Sequence, residues 1–405
     1  MDHYDIVIFG AGIIGLSVAC GLQGLGLQVL IIKSDLIQTC LDTEIISPTT
    51  KHFSVLNPAS QLLFQHFGIW SNILNINTST FYRMDIWERD SSGYITFGEA
   101  LKKNPSHPLG YVIENQKVHN LLWQHVRNLN NVTILISEKV TGVSFKNEKA
   151  LLSFKENIII STSLIIAADG AYSSLHQYVN IPLLSWNYKH HILIANVHTE
   201  IPHEETAYQV FHTNSILAFL PLRDPHLGAI IWSLSPKKAE YLAGTSKILF
   251  NEKLSVNFDV KLGVCHAEGA RQVLPLQGCY AHKLIFNRLV LVGHSAHTMH
   301  PLLDQSLNLG LMDAAELIGE IRHLHRQGKD IGQYQNLRRY ERRRKHNTFQ
   351  TLLSTEVYYR TFMGDNLGKK ILHDNLLTMV NKLPGIKSYL LKNTQGMINI
   401  PNWLR

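Results

Sequence analysis

Short unbroken apolar runs, each followed by a turn and a stretch of helical periodicity, mark both ends of the chain. Tyr4-Asp5-Ile6-Val7-Ile8-Phe9 reads as a strand buried on both faces. Leu16 to Leu25 then spaces its apolar residues as a helix does, Gly26 stops it, and Gln28 to Ile32 reads as a second strand. Leu164 to Ala168 and Leu289 to Val292 repeat the short apolar run. Between these lie stretches that alternate instead. Met84 to Trp87 and Tyr94 to Phe97 flank a turn at Asp90 to Gly93. His191 to Val197, Phe219 to Leu222, Ile230 to Ser233 and an edge strand at Arg271 to Leu276 continue the pattern. Asn131 to Ile136 and Val140 to Val143 read as strands, and Ala150 to Phe154 with Ile158 to Ser161 as a hairpin. Helices are expected over Ala59–Phe67 and Gln116–Asn128, from about Leu307, and from Tyr334 to about Lys392 with a break at Pro384-Gly385. The sum is an α/β fold: a Rossmann-like dinucleotide-binding domain, an interleaved β-sheet domain and a C-terminal helical region.

Two Gly-bearing turns carry the candidate chemistry. Gly10-Ala11-Gly12-Ile13-Ile14-Gly15 joins the first strand to the first helix. In such a βαβ unit the first glycine allows the tight turn and the second lets the backbone approach a diphosphate. The third lets the helix pack close to the strand. The second turn begins at Gly293, runs through a His/Pro loop and delivers a helix N-terminus, a place to hold an anion or a flat cofactor. His294, His297 and His300 recur at spacings of three, but on a Pro-containing loop, and no metal is expected there.

Composition narrows the picture without changing it. With 405 residues, 45% apolar and 17% charged, the chain is an ordinary globular protein of two or three domains. Its net charge of +7 favours anionic ligands, yet no Lys/Arg run is interleaved with aromatics, which argues against nucleic acid. Arg338 to Lys345 reads as a solvated helix face. Cys20, Cys40, Cys265 and Cys279 are scattered without a CxxC pair, so neither structural zinc nor a disulfide scaffold is expected, and a reducing compartment is. No signal peptide and no run of about 20 apolar residues is visible.

The stretch Ala296-His297-Thr298, His300-Pro301, Gln305, Leu307-Asn308, Gly310 and Asp313 resembles the second flavin motif of flavoprotein aromatic hydroxylases of the para-hydroxybenzoate hydroxylase type. The ubiquinone-biosynthesis hydroxylases are the nearest such family. The resemblance extends to His52 to Gln61 with Gly68-Ile69-Trp70, to Leu109 to Asn115, to Asp169-Gly170 with Ser173, to Phe219 to Leu222 and to Tyr334 to Lys345, and so covers nearly the whole chain. It implies FAD as cofactor, dioxygen and a reductant as co-reactants, and hydroxylation of a polyprenylated phenol. It places Gly10, Gly12, Gly15, Lys33, His52, Val140, Asp169, Gly170, Gly293, His294, Pro301, Gln305 and Asn308 around the cofactor. It requires no catalytic acid–base set, and none is evident. It divides the chain into a discontinuous FAD-binding domain (1–75, 108–180, 280–330), a substrate sheet (76–107, 181–279) and helices over 331–405. A cytoplasmic protein with peripheral contact on the inner face of the membrane is implied, alongside other proteins of the pathway; C-terminal residues such as Tyr358-Tyr359, Phe362-Met363 and Tyr389 to Leu391 read either as that contact or as an ordinary packed helical bundle.

The chain departs from the family pattern at six positions. Lys33 stands where the ribose-binding acid is expected, with Asp35 two residues on. His52 and His176 stand where the family has Arg, His294 where it has Asp, and Asp304 and Ser306 where it has Gly. Added side chains at the last two would crowd a cofactor that needs bare backbone. Three readings stay open: a working FAD hydroxylase, a flavin-deficient non-enzymatic relative acting as an accessory or lipid-binding subunit, and a flavoprotein oxidoreductase of other chemistry.

Overall fold

The computed structural model describes residues 2–34, 51–89, 93–98, 108–137, 140–155, 158–170, 175–179, 181–299, 305–362, 381 and 383–405. Asp35, Cys40, the first part of the turn at 90–92, Ser173, His300, Pro301, Asp304 and Met363 lie outside the described residues.

Five strands form the parallel heart of the first sheet, in the order β18 (Leu289–Leu291), β11 (Ile159–Ala167), β1 (Asp2–Phe9), β2 (Val29–Ser34) and β8 (Val132–Ser137). β17 (Ile285–Phe286) is added antiparallel at one edge, and β9 (Val140–Phe145) and β10 (Ala150–Phe154) pair off the start of β11. The central parallel strands carry unbroken apolar runs where helices cover the sheet. Ile6, Val7, Ile8, Leu164, Ile165, Ile166, Leu289 and Val290 are wholly buried. The hairpin expected of Ala150–Phe154 and Ile158–Ser161 forms as β10 against β11, and its second arm and the apolar run after it are one nine-residue strand.

The second sheet runs β19 (His297–Thr298), β16 (Cys265–Ala281), β12 (Leu183–Thr199), β15 (Leu227–Leu234), β14 (Ser215–Pro221), β13 (Thr206–His212), β5 (Arg83–Glu88) and β6 (Tyr94–Phe97). β16 is far longer than the edge strand the sequence suggests, because register shifts let it follow β12 along most of its length. A small third sheet of β3 (Phe53–Leu56), β7 (Gly110–Glu114) and β4 (Ser79–Phe81) lies between the other two.

The helices are α1 (Ile13–Gly21), α2 (Pro58–His66), α3 (Trp70–Asn75), α4 (Asn115–Arg127), α5 (Leu175–Val179), α6 (Pro236–Gly244), α7 (Lys247–Asn257), α8 (Gln305–Arg326), α9 (Tyr334–Phe362) and α10 (Pro384–Thr394). Pro384 opens α10 rather than interrupting a longer helix, since a proline at the first helical position lacks only an N–H that would go unpaired anyway. α1 packs against α8, and Gly21 makes the approach possible: a Cβ there would run into Ile318. Gly319 does the same for Trp403, whose indole Nε1 donates to the Ala315 carbonyl at 3.0 Å.

Candidate functional site

Register brings the three motif loops together. Phe9 at the end of β1 pairs with Ala167 at the end of β11, and Ala167 pairs with Leu291 at the end of β18. The chain therefore leaves three adjacent strands at the same edge, as Gly10, Ala168 and Val292. Backbone bonds fasten these exits: Ala168 N donates to Phe9 O at 2.7 Å and Val292 N to Ala167 O at 3.0 Å. Lys33 comes from β2 on the other side of β1, where Gly10 N donates to Ile32 O at 3.0 Å. This is the edge at which open α/β sheets take ligands.

The glycines there differ in what requires them. Gly10 has φ of +103°, and a Cβ on it would be driven into the Ala168 carbonyl. Gly15 faces the Gly10 carbonyl in the same way. Gly12 caps α1 with ordinary backbone angles, φ −74° and ψ 177°, and no side chain there bonds the free N–H groups. Nothing lies within 4 Å of where its Cβ would be. Its bareness answers no need of the protein itself, and the free N–H groups of α1 face open space. A diphosphate-bearing cofactor fits that cradle. Gly170, with φ of +89°, likewise borders open space.

Around Gly293 the structure adds a buried polar network. The Gly293 N–H and the His297 Nε2–H both donate to Asp313 Oδ2, at 2.9 and 2.6 Å. Arg344 Nε donates to Asp313 Oδ1 at 2.6 Å, and its Nη2 to the Leu309 carbonyl at 3.1 Å. All three side chains are almost wholly buried. Burial alone would raise the Asp313 pKa, but the Arg344 charge, then His297 and the Gly293 N–H, hold it below the ordinary carboxylate value. Asn308 fixes the start of α8 to the chain around β3: its amide donates to Val55 O at 2.7 Å and accepts from Asn57 N at 2.9 Å and Ser60 Oγ at 2.7 Å. Gln305 opens α8 and lines a cleft of about 60 Å³ with Asn57, Asn308 and Arg344.

The described departures from the family pattern take up partners within the chain. His294 Nε2 and Ser306 Oγ share a hydrogen bond of 2.7 Å. By area His294 is exposed, yet protein surrounds it on most sides, as for a side chain on a cleft floor. That surrounding, with His297 adding to it, pushes its pKa down to about 4. Its access to solvent tempers the size of the drop, not its direction, and the ring is neutral at pH 7. His176 Nε2 donates to the Ser295 carbonyl at 2.8 Å and ties α5 to the Gly293 loop. His52 lies beside Gln272 of β16, and burial draws its pKa down. Lys33 lies 5.1 Å from the centroid of the Trp123 ring. Val140 is buried at the start of β9, and its carbonyl accepts from the Tyr178 hydroxyl at 2.9 Å.

Two contributors escaped the sequence reading. His119 of α4 donates from Nε2 to the Ala11 carbonyl at 2.9 Å and stacks on Trp123, so α4 braces the Gly-rich turn. Arg344 was grouped with a solvated face but is only 2% exposed. The signal was present: Leu337, Tyr340, Arg344 and Thr348 recur at helical spacing, and all are buried.

Comparison with known proteins gives a consistent picture. The model of a family described as "FAD binding domain" matches residues 3–353. The 3-demethoxyubiquinol 3-hydroxylase of Escherichia coli (strain K12) is 28% identical over 397 residues, covering 97% of this chain and 98% of that one. The mitochondrial ubiquinone biosynthesis monooxygenase COQ6 of Caenorhabditis elegans is 27% identical over 434 residues, covering 96% and 95%. Among solved structures, p-nitrophenol 4-monooxygenase PnpA from Pseudomonas putida DLL-E4 superposes with a TM-score of 0.76 at 15% identity, over 98% of this chain and 99% of that one, a likeness of fold.

Proposed function

The chain belongs to the FAD binding domain family, and on that premise we propose that it hydroxylates the aromatic ring of a polyprenylated phenol in ubiquinone biosynthesis. The observation that carries this reading is the end-to-end match to ubiquinone-pathway oxygenases. The cradle at Gly12 and the convergence of three motif loops on one sheet edge support it.

When bound and reduced, FAD supplies the activated oxygen, one atom of which is placed on the ring. The residues of the chain bind, orient and shield. Gly10, Gly12 and Gly15, with the first N–H groups of α1, hold the diphosphate. Lys33 and Val140 border the adenosine end. Asp169, Gly170, Gly293, Gln305 and Asn308 shape the wall beside the ring system, and Pro301 belongs to the same set by its place in the motif. His294 and His52, both with lowered pKa, offer neutral imidazoles there. No side chain is assigned as an acid or base. The second sheet forms the floor that carries the ring and keeps water out.

A phenol of this class dissolves in the membrane, and we assign the peripheral contact to α10. Leu383, Ile386 and Tyr389 are exposed there beside Lys387, and none of that helix's described residues is buried. None of the described helices is long and apolar enough to cross a membrane.

The protein is expected to purify yellow, or to become so with added FAD, and to form a hydroxylated product from a prenylated phenol in air with a reductant. Turnover without that product would point to other flavin chemistry. Colourless protein that ignores added FAD would overturn the reading in favour of a flavin-free accessory subunit, the alternative that Lys33 favours.

A further inference from the structure

One row of residues crosses the second sheet in register. Gln209 of β13 pairs with Ala218 of β14, Ala218 with Ile231 of β15, Ile231 with Ile194 of β12, and Ile194 with Gln272 of β16. Directly paired residues share a face of a sheet. The residues next to them in each strand (Val210, Leu217, Ile230, Leu193 and Val273) pack into the core that includes Leu242 of α6 and Phe250 of α7. The row therefore points the other way, where Ile231 packs in one cluster with Phe53 and Val55 of β3. Its three central members are partly exposed aliphatic residues with a buried amide at each end, and beyond Gln209 the register runs on through the buried Ile86 of β5 and Ile95 of β6.

Those ends are unequal. Gln272 lies beside His52, from the loop that leads into β3 and borders the candidate cofactor site. Gln209 is 2% exposed, and its Nε2 has no hydrogen-bond partner among the described residues. A buried amide donor without a partner is uncommon in a folded chain, since it has given up water for nothing. A partner that comes from outside would satisfy it. Beside it, Ala218, Ile231 and Ile194 form a strip of aliphatic surface without a charge.

We propose that this row is the seat of the substrate ring: the ring lies on Ile231 and Ile194, and the Gln209 amide donates a hydrogen bond to an oxygen on its edge toward β13. The inference rests on the hydroxylase reading and narrows it. The ring must carry a hydroxyl or methoxyl oxygen at that edge, and Gln209 is the residue that selects for it. A site built to bond an oxygen discriminates strongly against the analogue lacking it, because the buried donor is then left unpaired.

The experiment uses the FAD-loaded protein with two probes, 2-prenylphenol and prenylbenzene. Their binding is read from the change each causes in the visible flavin absorbance. The wild type should bind the phenol about tenfold or more tightly than the hydrocarbon. Gln209→Leu, close in size and without the donor, should lose that preference while keeping its affinity for prenylbenzene and for FAD. Gln209→Met serves the same comparison if the leucine variant does not fold. Retention of the preference by either variant overturns the inference. So does a wild type that holds FAD and hydroxylates the phenol yet binds both probes equally, and in that case the proposed function survives. A wild type that takes up no FAD overturns both.

Discussion

His294 and Ser306 depart from the family pattern at two positions, and the structure shows that they bond each other: Nε2 and Oγ are 2.7 Å apart, across the loop that separates Gly293 from α8. Taken singly, each reads as damage to a flavin contact. Taken together, they replace an acid and a bare backbone by a clasp that holds the loop to the helix start. If so, their substitutions are coupled. His294→Ala and Ser306→Gly should each weaken the protein, and the double variant should fall short of the sum by about 0.5–1 kcal/mol, the low end for neighbours because the pair is open to solvent. Urea denaturation of the four proteins measures this, and FAD titration of the same set tells whether the coupling reaches the cofactor. Strict additivity would mean that the contact contributes nothing.

The contrast between Gly10 and Gly12 separates fold from function. Gly10→Ala places a Cβ against the Ala168 carbonyl at a φ that side chains rarely adopt, and should cost more than about 2 kcal/mol of stability. Gly12→Ser meets nothing in the protein, and serine is a good N-cap, so stability should stay within about 0.5 kcal/mol. FAD affinity should nonetheless fall at least about tenfold, because the new side chain occupies the diphosphate's approach. Denaturation midpoints and FAD titration check the two halves. A serine variant that binds FAD as the wild type does would show that the cradle at Gly12 is not used.

How far the sequence disclosed this follows from what each feature needs in order to be seen. The parallel strands were legible because burial on both faces leaves an unbroken apolar run, as in Ile6-Val7-Ile8. The Gly10 to Gly15 turn was legible because its spacing is fixed by local backbone geometry. β16 was cut short because bulges break the alternation that reveals a strand. The His294–Ser306 clasp and the brace from His119 to Ala11 were invisible, since each joins residues with no periodic relation. Arg344 was misjudged for a different reason. Its charge outweighed its helical position, and only the distant Asp313 explains why a guanidinium lies in the core.

That buried pair sets up an asymmetric prediction. Asp313→Ala would strand the Arg344 charge in the interior and free the Gly293 N–H and His297, at a cost of about 3–5 kcal/mol. Asp313→Asn keeps an oxygen acceptor for one or more of these donors and should cost measurably less. Stability of the two variants by urea denaturation gives the comparison. Equal losses would show that the charge alone matters and that the shape and acceptor kept by asparagine contribute nothing.

Acid should weaken the protein in a window set by its histidines. Burial, with Arg89 adding to it and Asp259 opposing, pushes the His212 pKa from 6.5 down to about 4. The folded-state pKa lies below the unfolded one, so the unfolded chain takes up the proton first as pH falls. The stabilisation is therefore complete above about pH 6.5 and is lost progressively toward pH 4. His52 and His176, whose pKa values burial also lowers, shift in the same direction. Asp313 and Asp330, held below 3.8 by Arg344 and Arg288 against the effect of burial, lose their contribution only at lower pH, so the two windows separate. The urea midpoint should fall between pH 6.5 and 4. In His212→Asn, which cannot titrate, the fall should be shallower even if the variant is weaker at pH 7. An unchanged slope would mean that His212 is protonated as readily in the folded chain as in the unfolded one.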